Sequence, residues 1–366
     1  MSAPEKDDVR TYSLFIHPKD LATLKNDVWS DETVPAKWKI GKKQKEIEIS
    51  YRGAYTRNLP RKSFRMECKN PPLLFGAREM HWNAEYNDPS LMRTKLSFEF
   101  FENIGVLTPA AQHVLLKLNG SILGLYLQIE SVDDCFLQKR GMPEGAIYYA
   151  SNDDANFSLL SPDDDAVKKS LLDGYTRKLG NETDDAYLRT FIYRINTIPR
   201  ADFAREIMQF LDVDLYLRWL TGVVCTQNFD GFIQNYALYA NKAAGQFQMI
   251  PWDYDATWGR DVKGRPMEYD YVPIEGYNTL TARILDIPEF RHKYRKLLEE
   301  VLETHFTLKC LEHRIESLHD ALRPYILSDP YRGKQIGAFD SEVNVILTFI
   351  SKRNLYLREN LPKLGD

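Results

Sequence analysis

The sequence predicts an α+β chain in two lobes, a sheet-rich N-lobe over residues 1–130 and a mainly helical C-lobe over residues 131–366 that carries one embedded hairpin. Three observations predict it. Short β-forming runs crowd the first 130 residues, apolar residues recur at helical spacing after Ser131, and 366 residues suffice for two cores rather than one.

In chain order, "TYSLFIH" and "KEIEISYRG" cluster β-formers, and "RKSFRMEC" alternates charge with Phe64 and Met66 in the period-2 manner of a strand with one buried face, placing Lys62 in that strand. A helix is expected from Pro89 to about Ile104. Asp88 suits its N-cap and Pro89 its first turn; Met92, Leu96, Phe100 and Ile104 recur at i+4, and Gly105 stands where a C′ glycine belongs. "HVLLKLNGSILGLYLQIE" reads as a hairpin turning at Asn119-Gly120, a dipeptide suited to positive φ. From Ser131 the pattern is largely helical, through "DAYLRTFIYRIN", "ADFAREIMQFL" and "VDLYLRWLTGVVC". The acidic "SPDDDAVKK" is expected to be a solvated loop leading into a helix N-terminus. Between Thr226 and Gly259 come a polar loop, a strand "YALYA", a turn "NKAAG" and a strand "QFQMI". The irregular loop "RDVKGRPMEYDYVPIEG" follows, then helical segments from Leu280 to Leu361 interrupted by "ILSDPYRGKQIG". The chain has no internal repeat and no low-complexity tract.

Composition narrows the function classes. Hydrophobic content of 43% and charged content of 27% are those of a globular chain, not a disordered or fibrous one. A net charge of −4, from 48 Lys+Arg against 52 Asp+Glu, gives no general attraction to nucleic acid. The N-terminus lacks an apolar signal region, and no stretch approaches the roughly 20 apolar residues of a membrane span, so a cytoplasmic protein without a membrane partner is expected. Cys68, Cys135, Cys225 and Cys310 have no short spacing, and the seven His residues form no HxxxH or HExxH pair, which excludes the common zinc signatures.

The chemistry concentrates in "IPWDYDATWG", where Asp253 and Asp255 alternate with Trp252, Tyr254 and Trp258. Carboxylates beside apolar walls are costly unless they bind something, and clustered ones are a common mark of a metal site. Upstream, Asp230 follows an amphipathic helix and Asn235 stands five residues later at the entrance to the first hairpin strand, with Asp253 ending the second. This is an arrangement phosphoryl transfer uses: one Asp accepts the hydroxyl proton, while an Asn and a second Asp hold Mg²⁺ against phosphates through oxygen ligands. The plain alternative for Asp230 and Asn235 is turn and capping hydrogen bonds. Phosphates also need a cation, and "YRGAYTRNLPRKSFRME" offers Arg52, Gly53 and Lys62. On the residues alone, a basic solvated sheet edge is the stronger account of that stretch.

Five segments, "YRGAYTRNLPRKSFRME", "NDPSLMRTKLSFEFFENIG", "LNGSILGLYLQIESVDDCFL", "NFDGFIQNYALYANKAAGQFQMIPWDYDATWG" and "NTLTARILDIPEFRHKYRKLLEEVL", occur in the order found in the spore coat protein H (CotH) kinase family. The chain resembles that family over roughly residues 45 to 310. The resemblance implies a divergent protein-kinase-like two-lobed fold, with ATP and Mg²⁺ (or Mn²⁺) as cofactors. It implies an atypical protein kinase acting on Ser or Thr of protein substrates, namely Ser-rich coat proteins, and a location in the mother cell and spore coat. By the same resemblance Lys62 is the phosphate-anchoring lysine, Asp230 the catalytic-loop aspartate, and Asn235 and Asp253 metal ligands; Asp255, two residues on, is either a second ligand or a group that orients its neighbours. Main-chain groups from Glu130 to Val132 then meet the adenine, and Asp133 or Asp134 the ribose. The chain departs from the family in having Ala54-Tyr55-Thr56-Arg57 after the Arg-Gly, where small polar residues are usual. It also has no G-x-G-x-x-G loop before Lys62, and "WDYD" stands in place of Asp-Phe-Gly. The acidic partner of Lys62 is left open between Glu99 and Glu102 on the expected helix, with Glu99 preferred. Two other classes stay open: a non-catalytic nucleotide-binding scaffold for coat assembly, and a kinase-like enzyme with another acceptor or another transferred group.

Overall fold

β1 (Arg10–Ile16) buries Tyr12, Leu14 and Ile16 and exposes the residues between them, the alternation of a strand with one face in a core. The computed structural model, which describes residues 7–68 and 76–365, continues with α1 (Pro18–Asn26), β2 (Val34–Ile40), β3 (Lys43–Arg52), β4 (Ser63–Glu67), β5 (Glu79–Asn83), α2 (Arg93–Asn103), β6 (Ala111–Leu118) and β7 (Ser121–Glu130). The seven strands close a barrel in the order β1-β2-β3-β4-β5-β7-β6, with β1 parallel to β6. Closure leaves no free edge. Period-2 alternation tells which face a strand buries, not whether the first and last strands meet, so a sheet was legible and a barrel was not. The interior is aromatic, with the Tyr12 and Trp38 rings edge-to-face at 5.0 Å and both against Trp82. Asn119 and Gly120 turn the β6–β7 hairpin at φ 49° and 91°, as expected of that dipeptide.

Two local expectations are corrected here. The helix begins at Arg93, not Pro89, because Leu91 takes a left-handed φ of 58°. Asp88 still serves its start, accepting from Ser90 N at 2.8 Å and Arg93 N at 3.0 Å. Lys62 immediately precedes β4 instead of lying within it.

This first compact unit comprises residues 1–95, 110–131 and 312–345. The last of these segments is bound to the barrel by buried charge. Asp329 Oδ2 pairs with Arg61 Nη1 at 2.7 Å, both side chains fully buried, and accepts from Leu125 N at 3.0 Å. Arg93 pairs with Asp88 and with Glu342, the latter at 2.7 Å. The interruption "ILSDPYRGKQIG" therefore carries the ion pair that ties this segment to the strands.

The second unit comprises residues 96–109, 132–311 and 346–366. Its elements are α3 (Asp134–Lys139), β8 (Gly145–Ala150), β9 (Tyr175–Leu179), α4 (Glu182–Thr197), α5 (Arg200–Ile207), α6 (Val213–Thr226), β10 (Tyr236–Asn241), β11 (Gln246–Pro251), α7 (Thr279–Leu285) and α8 (Pro288–Thr304), with the ends of α9 (Leu308–Ile326) and α10 (Ile336–Asn360). The expected hairpin is β10–β11, but it belongs to a four-stranded sheet, β11-β10-β8-β9, so the reading of an otherwise helical lobe is corrected. The acidic stretch leads through turns to β9, not to a helix. Asn181 caps α4 instead, in a capping box with Asp184. Cys68, Cys135 and Cys225 are buried thiols and Cys310 an exposed one, none of them in a disulfide. Among the described residues no helix is long and apolar enough to cross a membrane.

Candidate active site

Strand direction decides what gathers at one end of the second unit's sheet. β10 runs antiparallel to both neighbours, with Tyr236 opposite Pro251 of β11 and Ala237 opposite Tyr149 of β8. The segment entering β10 and the segments leaving β8 and β11 therefore emerge together. The first carries Asp230 and Asn235, the second Asp153, the third Asp253 and Asp255.

Local chemistry fixes each segment. α6 ends where Gln227 takes a left-handed φ of 57° as C-cap, its N–H returning to Val223 O. Asn228 Oδ1 then accepts from Gly231 N at 3.0 Å, shaping the short 3₁₀ turn Asp230–Phe232. Asn235 and Asp253 both sit at φ 58°, a conformation Asn and Asp tolerate better than most residues, and Trp252 N donates to Asn235 O at 3.0 Å. Asp253 thus stands two residues beyond β11, not at its last position. The loop with Asp153 is pinned through Ala155 O, which accepts from Tyr236 Oη at 2.5 Å and from Tyr175 Oη at 3.3 Å.

Asp230, Asn235, Asp253, Asp255 and Asp153 are all half-buried. Burial is the largest influence on Asp230 and pushes its carboxyl above the usual carboxylate range; a hydrogen bond from Gln234 pulls it down, and the Asp253 and Asp153 carboxylates push it further up. Tyr277, whose hydroxyl donates to Phe229 O, is raised by burial and by the Asp230 charge. Sequence reasoning missed Asp153. Its signal was available, since "AIYYA" before "SNDD" repeats the strand-then-acid pattern of "QFQMIPWD". Asp253, Asp255 and the Asn235 amide offer only oxygen donors, the kind a hard dication takes, and the Asp253 and Asp153 carboxylates act on Asp230 through space.

Near the chain's passage into this unit, Val132 N donates to Tyr149 Oη at 2.8 Å, and the Tyr149 ring meets Trp252 edge-to-face at 4.8 Å. The main-chain donor expected to meet adenine is engaged by a tyrosine. Asp133 caps α3, accepting from Cys135 N and Phe136 N. The carboxylates of Asp133 and Asp134 and the Cys135 thiol lie within 4.8 Å of one another.

In the barrel unit, Arg52 donates to Asn83 Oδ1, and Gly53 holds φ 100°, where a β-carbon would strike the Thr56 hydroxyl. Lys62 Nζ donates to the carbonyls of Arg57 at 2.5 Å and Leu59 at 2.7 Å, and Glu130 Oε2 accepts from Ala110 N at 3.1 Å.

Residues 49–357 match the family model described as "CotH kinase protein". The chain is 50% identical over 353 residues to "Inner spore coat protein H" of Bacillus subtilis (strain 168), covering 96% of this chain and 98% of that protein. It is 30% identical over 291 residues to the "Inner spore coat protein H-like protein" of the same organism, covering 80% and 83%. Among solved structures, the Helicobacter pylori proinflammatory kinase CtkA aligns over 87% of this chain and 95% of its own at 9% identity and a TM-score of 0.31.

Proposed function

The chain belongs to the CotH kinase family, and on that premise we propose that it is an ATP- and divalent-metal-dependent protein kinase acting on Ser or Thr of protein substrates. The observation that carries the reading is the gathering of Asp230, Asn235 and Asp253 at one sheet end, with Asp230 raised by burial first and by the Asp253 and Asp153 carboxylates after it. A base whose pKa is displaced toward neutrality is better matched to taking a hydroxyl proton at working pH, so Asp230 is assigned as the general base. Asn235, Asp253 and Asp255 are the residues that would hold Mg²⁺ (or Mn²⁺), and Asp153 supplies further negative charge. When bound, the dication supplies neutralisation of phosphate charge.

Arg52, Gly53 and Lys62 are assigned to the phosphates. Lys62 would exchange two carbonyl partners for phosphate oxygens, a change that retains its hydrogen bonds. Glu130, Val132 and Asp133 are assigned to the nucleoside, with the Tyr149 hydroxyl as the polar group at Val132. The relatives are named "Inner spore coat protein H" and "Inner spore coat protein H-like protein", which supports the spore coat as location; Ser-rich coat proteins are proposed as acceptors on the family resemblance alone.

The test incubates the full chain with γ-labelled and, in parallel, α-labelled ATP, Mg²⁺ or Mn²⁺, and Ser-rich coat proteins. Transfer of the γ label to Ser or Thr, abolished in Asp253→Ala, is expected. Transfer of the α label alone would replace the reading with nucleotidyl transfer, and nucleotide binding without transfer would replace it with a scaffold.

A further inference from the structure

Arg353 is 0% exposed on α10, and none of its hydrogen bonds goes to a side chain. Its Nε and Nη2 donate to Val224 O at 3.0 and 2.8 Å; its Nη1 donates to Tyr269 O at 2.8 Å and to Val272 O at 2.7 Å. No carboxylate forms an ion pair with it among the described residues. A buried charge without an ion-pair partner is costly, and a leucine or methionine would pack a helix more cheaply, so the guanidinium's value at this position is its planar set of donors.

The three acceptors join two pieces of chain that the proposed chemistry uses. Val224 O belongs to the last turn of α6, whose carbonyls have no partner within the helix, and the Asp230 loop springs from that turn. Tyr269 and Val272 belong to the segment that follows Asp253. The same two pieces meet again where Gln227 Nε2 donates to Glu268 O at 2.8 Å, and where the Tyr271 and Tyr277 rings pack on Phe229.

The geometry points to Arg353 as a positioning residue that holds segment 268–274 against the base of the Asp230 loop, so that this segment is ordered by the chain's own C-terminal helix, without covalent modification. This inference rests on the kinase reading for its catalytic consequence but not for its structural one. Lys at 353 keeps the charge yet offers three donors from one point, which cannot reproduce a fork spanning Val224, Tyr269 and Val272.

Hydrogen exchange on the full, unmodified chain tests it. In the native protein, with mass spectrometry showing no phosphate, the amides of segment 268–274 are expected to be protected; exchange at free-loop rates would overturn the inference without any variant. In Arg353→Lys, exchange in that segment is expected to rise about tenfold more than in the α4 core, since local opening is independent of global unfolding. An equal rise in both would reduce Arg353 to a packing residue and overturn the inference. Tyr269→Ala, which removes a ring packed on Tyr356 but no carbonyl, is expected to open the segment far less; opening equal to that of Arg353→Lys would also overturn it. If γ-phosphoryl transfer is observed, Arg353→Lys is expected to lower kcat about tenfold with KM for ATP within about twofold, and a change in KM for ATP alone would refute the catalytic consequence. Failure of all transfer would sink the kinase reading while leaving the exchange result to stand.

Discussion

Asp329→Ala is the sharpest test of how the first unit is held together. The substitution removes the partner of Arg61, 2.7 Å away and equally buried, and the acceptor of Leu125 N. It also removes the Oδ1 that accepts from Tyr331 N and Arg332 N at 2.9 and 3.1 Å. Breaking one side of a buried ion pair costs about 3–5 kcal/mol because the remaining charge is stranded. The orphaned Leu125 amide adds about 1–3 kcal/mol, less than additively because both losses share one carboxylate. Arg61 keeps its bond to Ala84 O at 2.7 Å, which does not neutralise its charge. A loss of at least about 3 kcal/mol is therefore expected in denaturant unfolding, with the Leu125 amide among those most exposed to exchange. The double variant Arg61→Met with Asp329→Leu is expected to recover much of the loss, since it strands no charge. A single-variant loss below about 1 kcal/mol would refute the reasoning, because water would have to be solvating Arg61.

Further outcomes follow from the same structure. Asp230→Asn is expected to abolish transfer yet raise stability at pH 7 by about 1 kcal/mol, the scale on which functional charges oppose folding, measured by thermal unfolding. The sign follows from the raised carboxyl: the native state holds its proton to higher pH than the unfolded chain, so this stability is present below the ordinary carboxylate pKa and lost as pH rises through the raised one. The stabilisation by Asn should accordingly vanish on acidification through that window, and a pH-independent gain would contradict it. Asp153→Asn is expected to move the acid limb of the kcat/KM profile to lower pH, because one source of repulsion on Asp230 is gone. Gly222→Ala places a β-carbon against the Phe101 ring and is expected to destabilise by about 1–3 kcal/mol, read as a lower denaturant midpoint.

Local pattern carried much of the fold. The Asn119-Gly120 hairpin, the strands around it, α6 and the β10–β11 hairpin were all legible because turn chemistry and periodicity reside in consecutive residues. What was not legible depends on partners distant in sequence. Barrel closure needs β1 to meet β6, a register between residues about a hundred positions apart. "AIYYA" and "YTRKL" were passed over as strands because helical runs surround them; "AIYYA" pairs on one side with β10, beyond residue 236, and "YTRKL" pairs, among the described residues, only with "AIYYA". Nothing in the neighbouring residues marks Arg61 or Arg353 as interior, since most arginines are exposed; Asp329 in one case and three carbonyls in the other hold them inside. In the candidate site, the Asp230–Asn235–Asp253 spacing was visible, whereas Asp153 and Tyr149 join it only through the β8–β10 register.

The alternation of acids and rings in "IPWDYDATWG" has a physical account in the packing of the rings. Trp252 meets Tyr149, Tyr254 meets Phe98 and Phe101, and Trp258 meets Phe100, Phe306 and Phe349. Each acid is flanked by a buried ring on at least one side, so the backbone through Asp253 and Asp255 is fixed by apolar contacts. Aromatic burial supplies rigidity to the backbone that carries the carboxylates. The same division appears upstream, where Phe229 and Phe232 pack on Tyr277 while Asp230 between them stays half-buried. For the proposed function half-burial is a compromise: enough desolvation to raise Asp230, and enough access for the hydroxyl and metal that function would require.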